Sequence, residues 1–365
     1  MVARFAWRSG YDGRDPVSRE PLLLVDDPLF DDHRSRGYHP ERPERLEAAR
    51  KAIAQATAHG VATRRLEPRD ATDDEIARAH TPAHVEHLRR LAGHWAAVDA
   101  DTFVSPSSIA AARRAAGGAI ALVEALLDPG ASSRKGVALL RPPGHHATPD
   151  AAMGFCLVNN AAVAAHAALA AGLERVAIVD WDVHHGNGTQ DIFWTDPRVL
   201  YVSLHQFPLY PGTGCAEEIG ADEGRGFTVN VPLSASAADA VYDAAMRDVV
   251  APVLERFAPE LVLVSAGYDA HERDPLASMN LSDAGFASMA SAVAKIADQT
   301  AKGRMALILE GGYDLGAIER SLAASIEAML SPAEPPPASS RQIGATHRAE
   351  IERARRMSSE TWRDL

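Results

Sequence analysis

Val176-Ala-Ile-Val-Asp180-Trp-Asp182-Val-His184-His185-Gly-Asn187-Gly188 is an apolar run that ends in carboxylates and imidazoles. Its first four residues read as a buried strand. Where the strand runs out, Asp180, Asp182 and His184 follow at i, i+2 and i+4. In extended geometry alternate side chains point the same way, so the three can converge on one spot. Oxygen and nitrogen ligands without thiolates suit a catalytic zinc or ferrous ion with an open position better than a closed structural zinc site.

The same punctuation recurs along the chain. Apolar runs stand at Leu22–Val25, Val61–Leu66, Val137–Leu140, Val176–Val179, Val199–Leu204, Phe227–Val231, Leu261–Ser265 and Met305–Leu309. Between them, Ala-rich segments such as Ile109–Leu127, Asn160–Ala171, Asp239–Phe257 and Asp283–Ala301 repeat apolar residues at helical spacing. Strand, helix, strand repetition implies right-handed crossovers, and runs without alternation imply burial on both faces. The expected fold is α/β, a three-layer α/β/α sandwich around a central, mostly parallel eight-stranded sheet. Residues 1–330 are expected to form the catalytic domain. Ser331-Pro-Ala-Glu-Pro-Pro-Pro337 then starts a Pro-rich linker and a charged tail, 331–365, with a surface helix over Thr346–Met357.

Composition narrows the function. The 365 residues carry a net charge of −12 with dispersed acids, which argues against a non-specific nucleic-acid binder. Two cysteines, Cys156 and Cys215, speak against a disulfide framework and for a reducing compartment. Met1–Arg8 has no long apolar region, and no segment has the apolar length of a membrane span. The expected location is the cytoplasm.

The polar clusters follow the strands directly: Pro142-Pro-Gly-His145-His146, the Asp/His cluster, Ser265-Ala-Gly-Tyr-Asp269 and Glu310-Gly-Gly-Tyr313. Sites in open α/β sheets form at the carboxyl ends of strands, so one shared site is expected. Asp182, His184 and Asp269 make the expected metal shell, two carboxylates and a neutral imidazole that leave a divalent ion near neutrality. For a lone Asp, a helix cap or loop carboxylate is the better reading; four such loops reverse it. His145 and His146 can take a proton from water and return it to a leaving amine. Asp180 and Asn187 are candidate partners that orient them. Tyr313, after two glycines, is either an oxyanion donor or a core tyrosine. His59, His80, His84, His87 and His166 read as structural or solvated, and Cys156 as a core residue.

These residues together resemble the zinc-dependent histone deacetylase superfamily, which includes acetylpolyamine amidohydrolases and shares its fold with arginase. The resemblance runs from about Tyr38 to Ala323. It rests on His39-Pro-Glu-Arg-Pro-Glu-Arg45, Arg141–His146, Gly154-Phe-Cys156, Asp180–Gly188, Pro211-Gly-Thr-Gly214, Ser265–Asp269, Asp274-Pro-Leu276 and Glu310–Tyr313. Asn187 and Ala152–Cys156 look like bacterial class II-type members. The resemblance implies zinc ligands at Asp182, His184 and Asp269, a base and acid pair at His145 and His146, and a carbonyl-polarising Tyr313. It implies an acyl-lysine tunnel lined by Phe155 and Gly154, with Asp101 as a rim carboxylate. It also implies structural potassium held by the side chains of Asp180, Asp182 and Ser203 with the carbonyls of His184 and Leu204. A second monovalent site would use carbonyls at Phe193, Asp196, Val199 and Phe227.

The chain departs from the family at Tyr210, where the second tunnel wall is usually Phe. Leu276 stands where a polyamine-selective relative carries a glutamate gatekeeper, and the His94–Asp101 loop is short. Both lean towards an acyl-lysine peptide or protein rather than a small acyl-amine such as an acetylated polyamine. An acyl-lysine binding or scaffold protein with vestigial activity is the alternative of another class. An arginase-like ureohydrolase would need further carboxylates where this chain has His145-His146 and Asn187. Oligomeric state stays open.

Overall fold

In the computed structural model, residues 20–131, 133–333 and 343–363 are described. The Met1–Arg8 stretch and the proline run at 335–337 lie outside the described residues. The eight apolar runs all become strands of one sheet: β1 (Leu22–Val25), β2 (Thr63–Leu66), β3 (Lys135–Ala138), β4 (Val176–Asp180), β5 (Val199–Gln206), β6 (Thr228–Leu233), β7 (Leu261–Ala266) and β8 (Met305–Leu309). Their order across the sheet is β2-β1-β3-β8-β7-β4-β5-β6. Every pairing in that sheet is parallel, so all the strand ends that carry polar loops point to one edge.

The expected three-layer α/β/α architecture is the observed one. The central strands are buried along their whole length because helices cover both faces. Helices α3 (Ser108–Leu127) and α4 (Asn160–Ala170) pack together and against the sheet. A second group comprises α1 (Glu44–Ala58), α8 (Asp283–Thr300) and α9 (Leu315–Leu330). Between them in the chain lie α2 (Pro82–Leu91), α5 (Asn187–Phe193), α6 (Asp239–Ala245) and α7 (Ala251–Phe257).

Several details differ from the sequence reading, among them β6, which covers Thr228–Leu233 rather than 227–231. Strand β2 starts at Thr63 rather than Val61, and β3 covers Lys135–Ala138 rather than 137–140. The helix expected over 239–257 contains a π-helical segment, Met246–Val250, ahead of Pro252; proline lacks an N–H, so the ladder must readjust there. The short His94–Asp101 loop belongs to a small hairpin that pairs Ala96–Ala97 with Phe103–Val104.

The expected tail helix is α10 (Ala345–Ser359). It is docked rather than free: Ile351, Ala354 and Ser358 are buried, and it lies against β6, an edge strand. Trp362 donates its indole N–H to the Gly226 carbonyl at 2.9 Å and packs on Phe227 and Phe257. A covered edge is protected from pairing with another chain.

Candidate active site

Four adjacent strands, β3, β8, β7 and β4, carry the four polar loops at one edge of the sheet. Register keeps their ends level: Asp180 pairs with Ser265, and Leu309 with Ala266. Residues far apart in sequence therefore meet where these strands stop.

Asp182, His184 and Asp269 each offer a ligand atom, and these atoms all lie within 4.8 Å of one another. The backbone aims both carboxylates. Asp182 accepts the N–H of His184 at 2.9 Å and of Gly311 at 2.7 Å, and Asp269 accepts that of Val183 at 2.8 Å. The alternation argument needs one correction. Strand β4 ends at Asp180, so Asp180 does not share the spot. Its carboxylate instead takes His145 Nδ1 and the Tyr201 hydroxyl, both at 3.1 Å.

The three residues fit a divalent cation. His184 Nδ1 lies 3.2 Å from oxygens of both Asp182 and Asp269, and one ring nitrogen cannot satisfy two carboxylates. Burial opposes charge on His184, yet its hydrogen bonds to Asp182 and Asp269, which accept, push its pKa up to about 10, so the spot strongly favours positive charge. The carboxylates also need open backbone beside them: a Cβ on Gly311 would lie 2.2 Å from Asp269 and 2.5 Å from Asp182. The donor set, two oxygens and one imidazole, matches zinc or ferrous iron.

The paired histidines differ in what backs them. His145 is held by Asp180, and His146 Nδ1 by Asn187 Oδ1 at 2.8 Å. Their rings lie 4.0 Å apart. Burial lowers both pKa values. At His145 the Asp182 and Asp180 charges overcome it and hold the pKa up to about 10. At His146 burial, then repulsion from His145 and His184, leaves it well below the ordinary histidine range. The turn itself is pinned by buried Glu310, which accepts the N–H of Gly144 at 2.6 Å and of His145 at 3.2 Å. Burial raises the Glu310 pKa to about 7.

Tyr313 faces the same cavity, of about 250 Å3, which is also lined by His145, His146, His184, Gly311 and all five expected substrate residues: Asp101, Gly154, Phe155, Tyr210 and Leu276. Burial holds the Tyr313 phenol well above its ordinary pKa. The Phe155 ring meets Tyr313 edge-on at 5.9 Å, and Tyr210 meets His146 at 5.1 Å. Phe155 sits at φ 70, an uncommon angle for a side-chain-bearing residue, with its N–H on Thr102 Oγ1 at 3.0 Å. Gly154 leaves room for His146, whose Cδ2 would lie 2.5 Å from a Cβ there. Asp180 and Asn187 stand behind the histidines.

Of the residues expected around potassium, Asp180 and Ser203 are paired neighbours on β4 and β5, and the Ser203 hydroxyl meets His205 Nδ1 at 2.9 Å. The carbonyls of Phe193, Asp196 and Phe227 accept the N–H groups of Asp196, Val199 and Tyr201. Among the background histidines, His80 Nδ1 meets the Thr148 carbonyl and His84 Nε2 that of Leu157, while His59 pairs with Glu327 at the surface.

Sequence reasoning gave no role to a buried ionic group behind Tyr313. Arg45 donates to the Gly312 carbonyl at 2.6 Å and to that of Glu310, with its guanidinium 5.1 Å from the Tyr313 ring. Glu41 pairs with both Arg45 and Arg141. The available signal was the i, i+4 spacing of Glu41 and Arg45 in a motif already singled out.

Comparison with known proteins supplies the family. The histone deacetylase domain family matches residues 39–329. The chain is 43% identical over 281 residues to a histone deacetylase-like amidohydrolase of Pseudomonas aeruginosa, covering 75% of this chain and 72% of that protein. It is 36% identical over 345 residues to the polyamine deacetylase HDAC10 of Homo sapiens, covering 89% of this chain but only 50% of the human protein. The crystal structure of the HDA15 HD domain superposes with a TM-score of 0.85 at 37% identity, covering 94% of this chain and 96% of that one.

Proposed function

For a chain that belongs to the histone deacetylase family and is thereby a hydrolase of the deacetylase class, we propose that the reaction is removal of acetyl or related acyl groups from lysine side chains. The carrying observation is that the Asp182, His184 and Asp269 cluster reaches, through His184, a cavity also lined by His145, His146 and Tyr313. A zinc or ferrous ion held by Asp182, His184 and Asp269 supplies, when bound, the Lewis acidity that polarises a carbonyl and acidifies water.

The chain's own groups divide the rest. Tyr313, a phenol protonated at neutral pH and held more firmly so by burial, donates to the amide oxygen as charge develops there. His146, uncharged in its buried setting, takes the proton of the attacking water and returns it to the leaving amine. His145, with Asp180 behind it, carries compensating positive charge. Phe155 and Tyr210 grip the lysine methylenes. Acetate and a free amine result. The potassium ligand sets around Asp180 and Phe193 are part of the same proposal, as is the cytoplasm, in keeping with two unpaired cysteines.

The mouth favours a polypeptide. Tyr38, Trp95 and Tyr210, 85%, 43% and 38% exposed, are the exposed large hydrophobic side chains among the described residues. Tyr210 lines the cavity. Tyr38 precedes His39, whose Nε2–H donates to the Asp101 carbonyl at 3.0 Å. Trp95 flanks the hairpin whose loop carries Asp101. Aromatic side chains around a pocket mouth suit the residues flanking a modified lysine.

A second reading, an acetylated polyamine, draws on the paired carboxylates Asp99 and Asp101 near the rim. No helix among the described residues is long and apolar enough to cross a membrane. Amine release from an acetyl-lysine peptide and an acetylated diamine, measured side by side with Tyr313→Phe as control, tests the proposal. Faster release from the peptide supports it, whereas faster release from the diamine replaces it with the second reading. Release from neither, with retained peptide binding, returns the acyl-lysine binding protein.

A further inference from the structure

Asp274 is buried five residues beyond Asp269, and the mechanism above gives it no task. Its side chain nevertheless takes three backbone donors. Oδ1 accepts the N–H of Leu276 at 3.0 Å. Oδ2 accepts the N–H of Tyr313 at 2.6 Å and of Asp314 at 3.2 Å. One carboxylate thereby joins two loops, the turn after β7 that presents Leu276 to the cavity and the turn after β8 that presents Tyr313.

The surroundings of Tyr313 make this bond more than incidental. The preceding residue, Gly312, has φ 114, so it gives the turn little stiffness of its own. The Gly312 carbonyl is held by Arg45. The following residue, Asp314, caps α9 by accepting the Ala317 N–H at 2.7 Å. The amide of Tyr313 itself goes to Asp274. A carboxylate is required for the full set: an amide side chain offers one acceptor oxygen, so one loop would face an NH2 group.

We infer that Asp274 is a positioning residue that locks Tyr313 and the cavity-lining Leu276 in a single register. Its effect on turnover rests on the proposed role of Tyr313; the lock itself does not. Leu276 is tied to Asp274 by one short turn, Asp274-Pro275-Leu276, so its distance from the phenol is set through that turn and the Asp274–Tyr313 hydrogen bond.

Hydrogen exchange on the unmodified full chain tests the lock without any variant. The amides of Leu276, Tyr313 and Asp314 are expected to exchange far more slowly than open loops, and open-loop rates at these three would overturn the inference. Asp274→Asn is then compared in two backgrounds, with cation content measured. In the unmodified enzyme it is expected to lower kcat by roughly 10- to 100-fold, the scale of a misplacement of about 1 Å. Beside Tyr313→Phe it is expected to lower kcat no further. Losses that multiply independently would show that Asp274 does not act through Tyr313. Slow amides in a protein that hydrolyses no acetyl-lysine would leave the lock standing and sink the proposed function instead.

Discussion

At the floor of the cavity, Asp182 and Asp269 each accept backbone N–H groups beside the ends of β4 and β7. At the mouth, Tyr210 lines the cavity, and Tyr38 and Trp95, beside segments that contact or carry Asp101, stand on loops with much of their rings in solvent. The Arg36 guanidinium lies 4.9 Å from the Trp95 ring and that of Arg42 5.7 Å from Tyr38. The floor is polar, buried and aimed by the sheet; the mouth is aromatic, open and held by weaker contacts. On the proposed function, chemistry belongs to the part whose geometry the core enforces, and choice of substrate to the part that a few side chains can re-shape.

Breaking the floor should cost most. Asp182→Ala or Asp269→Ala is expected to abolish both cation binding and amide hydrolysis; a bound-metal assay finding normal stoichiometry in either variant would remove that ligand. Tyr313→Phe keeps the ring and its contacts but loses the donor. Turnover is expected to fall about 10²–10³-fold with cation content intact, the scale of one oxyanion donor, and steady-state kinetics check it.

The histidine pair sharpens the comparison within the floor. In Asn187→Asp a carboxylate stands behind His146 and favours its charged form, so its pKa rises. The neutral base is then lost at higher pH than before, and the acid limb of the kcat/KM profile moves up by roughly 1–3 units. An unmoved limb would mean that His146 is not the base. At the mouth, Tyr38→Ala with Trp95→Ala is expected to raise KM for an acetyl-lysine peptide about 10-fold and to leave an acetylated diamine unaffected. Equal effects on both substrates would tie the aromatic residues to folding rather than to peptide recognition.

Much of this architecture was readable beforehand because parallel strands buried on both faces leave uninterrupted apolar runs. Val176–Val179 and Met305–Leu309 fall within observed strands for that reason. Strand boundaries were harder: Val61 is buried like a strand residue yet precedes β2. The docking of α10 was not readable either. Its apolar residues are few, and burial of Ile351 and Ala354 depends on where β6 offers an edge.

The residue types of the site were set by sequence: carboxylates and imidazoles where apolar runs stop, and glycines where backbone must pass close. The order in space was not. Along the chain the polar loops follow β3, β4, β7 and β8, whereas across the sheet these strands stand β3-β8-β7-β4. Only that arrangement puts Asp269 beside Asp182 and sends Asp180 to His145 instead. Local pattern reports what each strand end offers. Which ends are neighbours follows from crossovers and from burying both faces of one sheet, which no single stretch encodes.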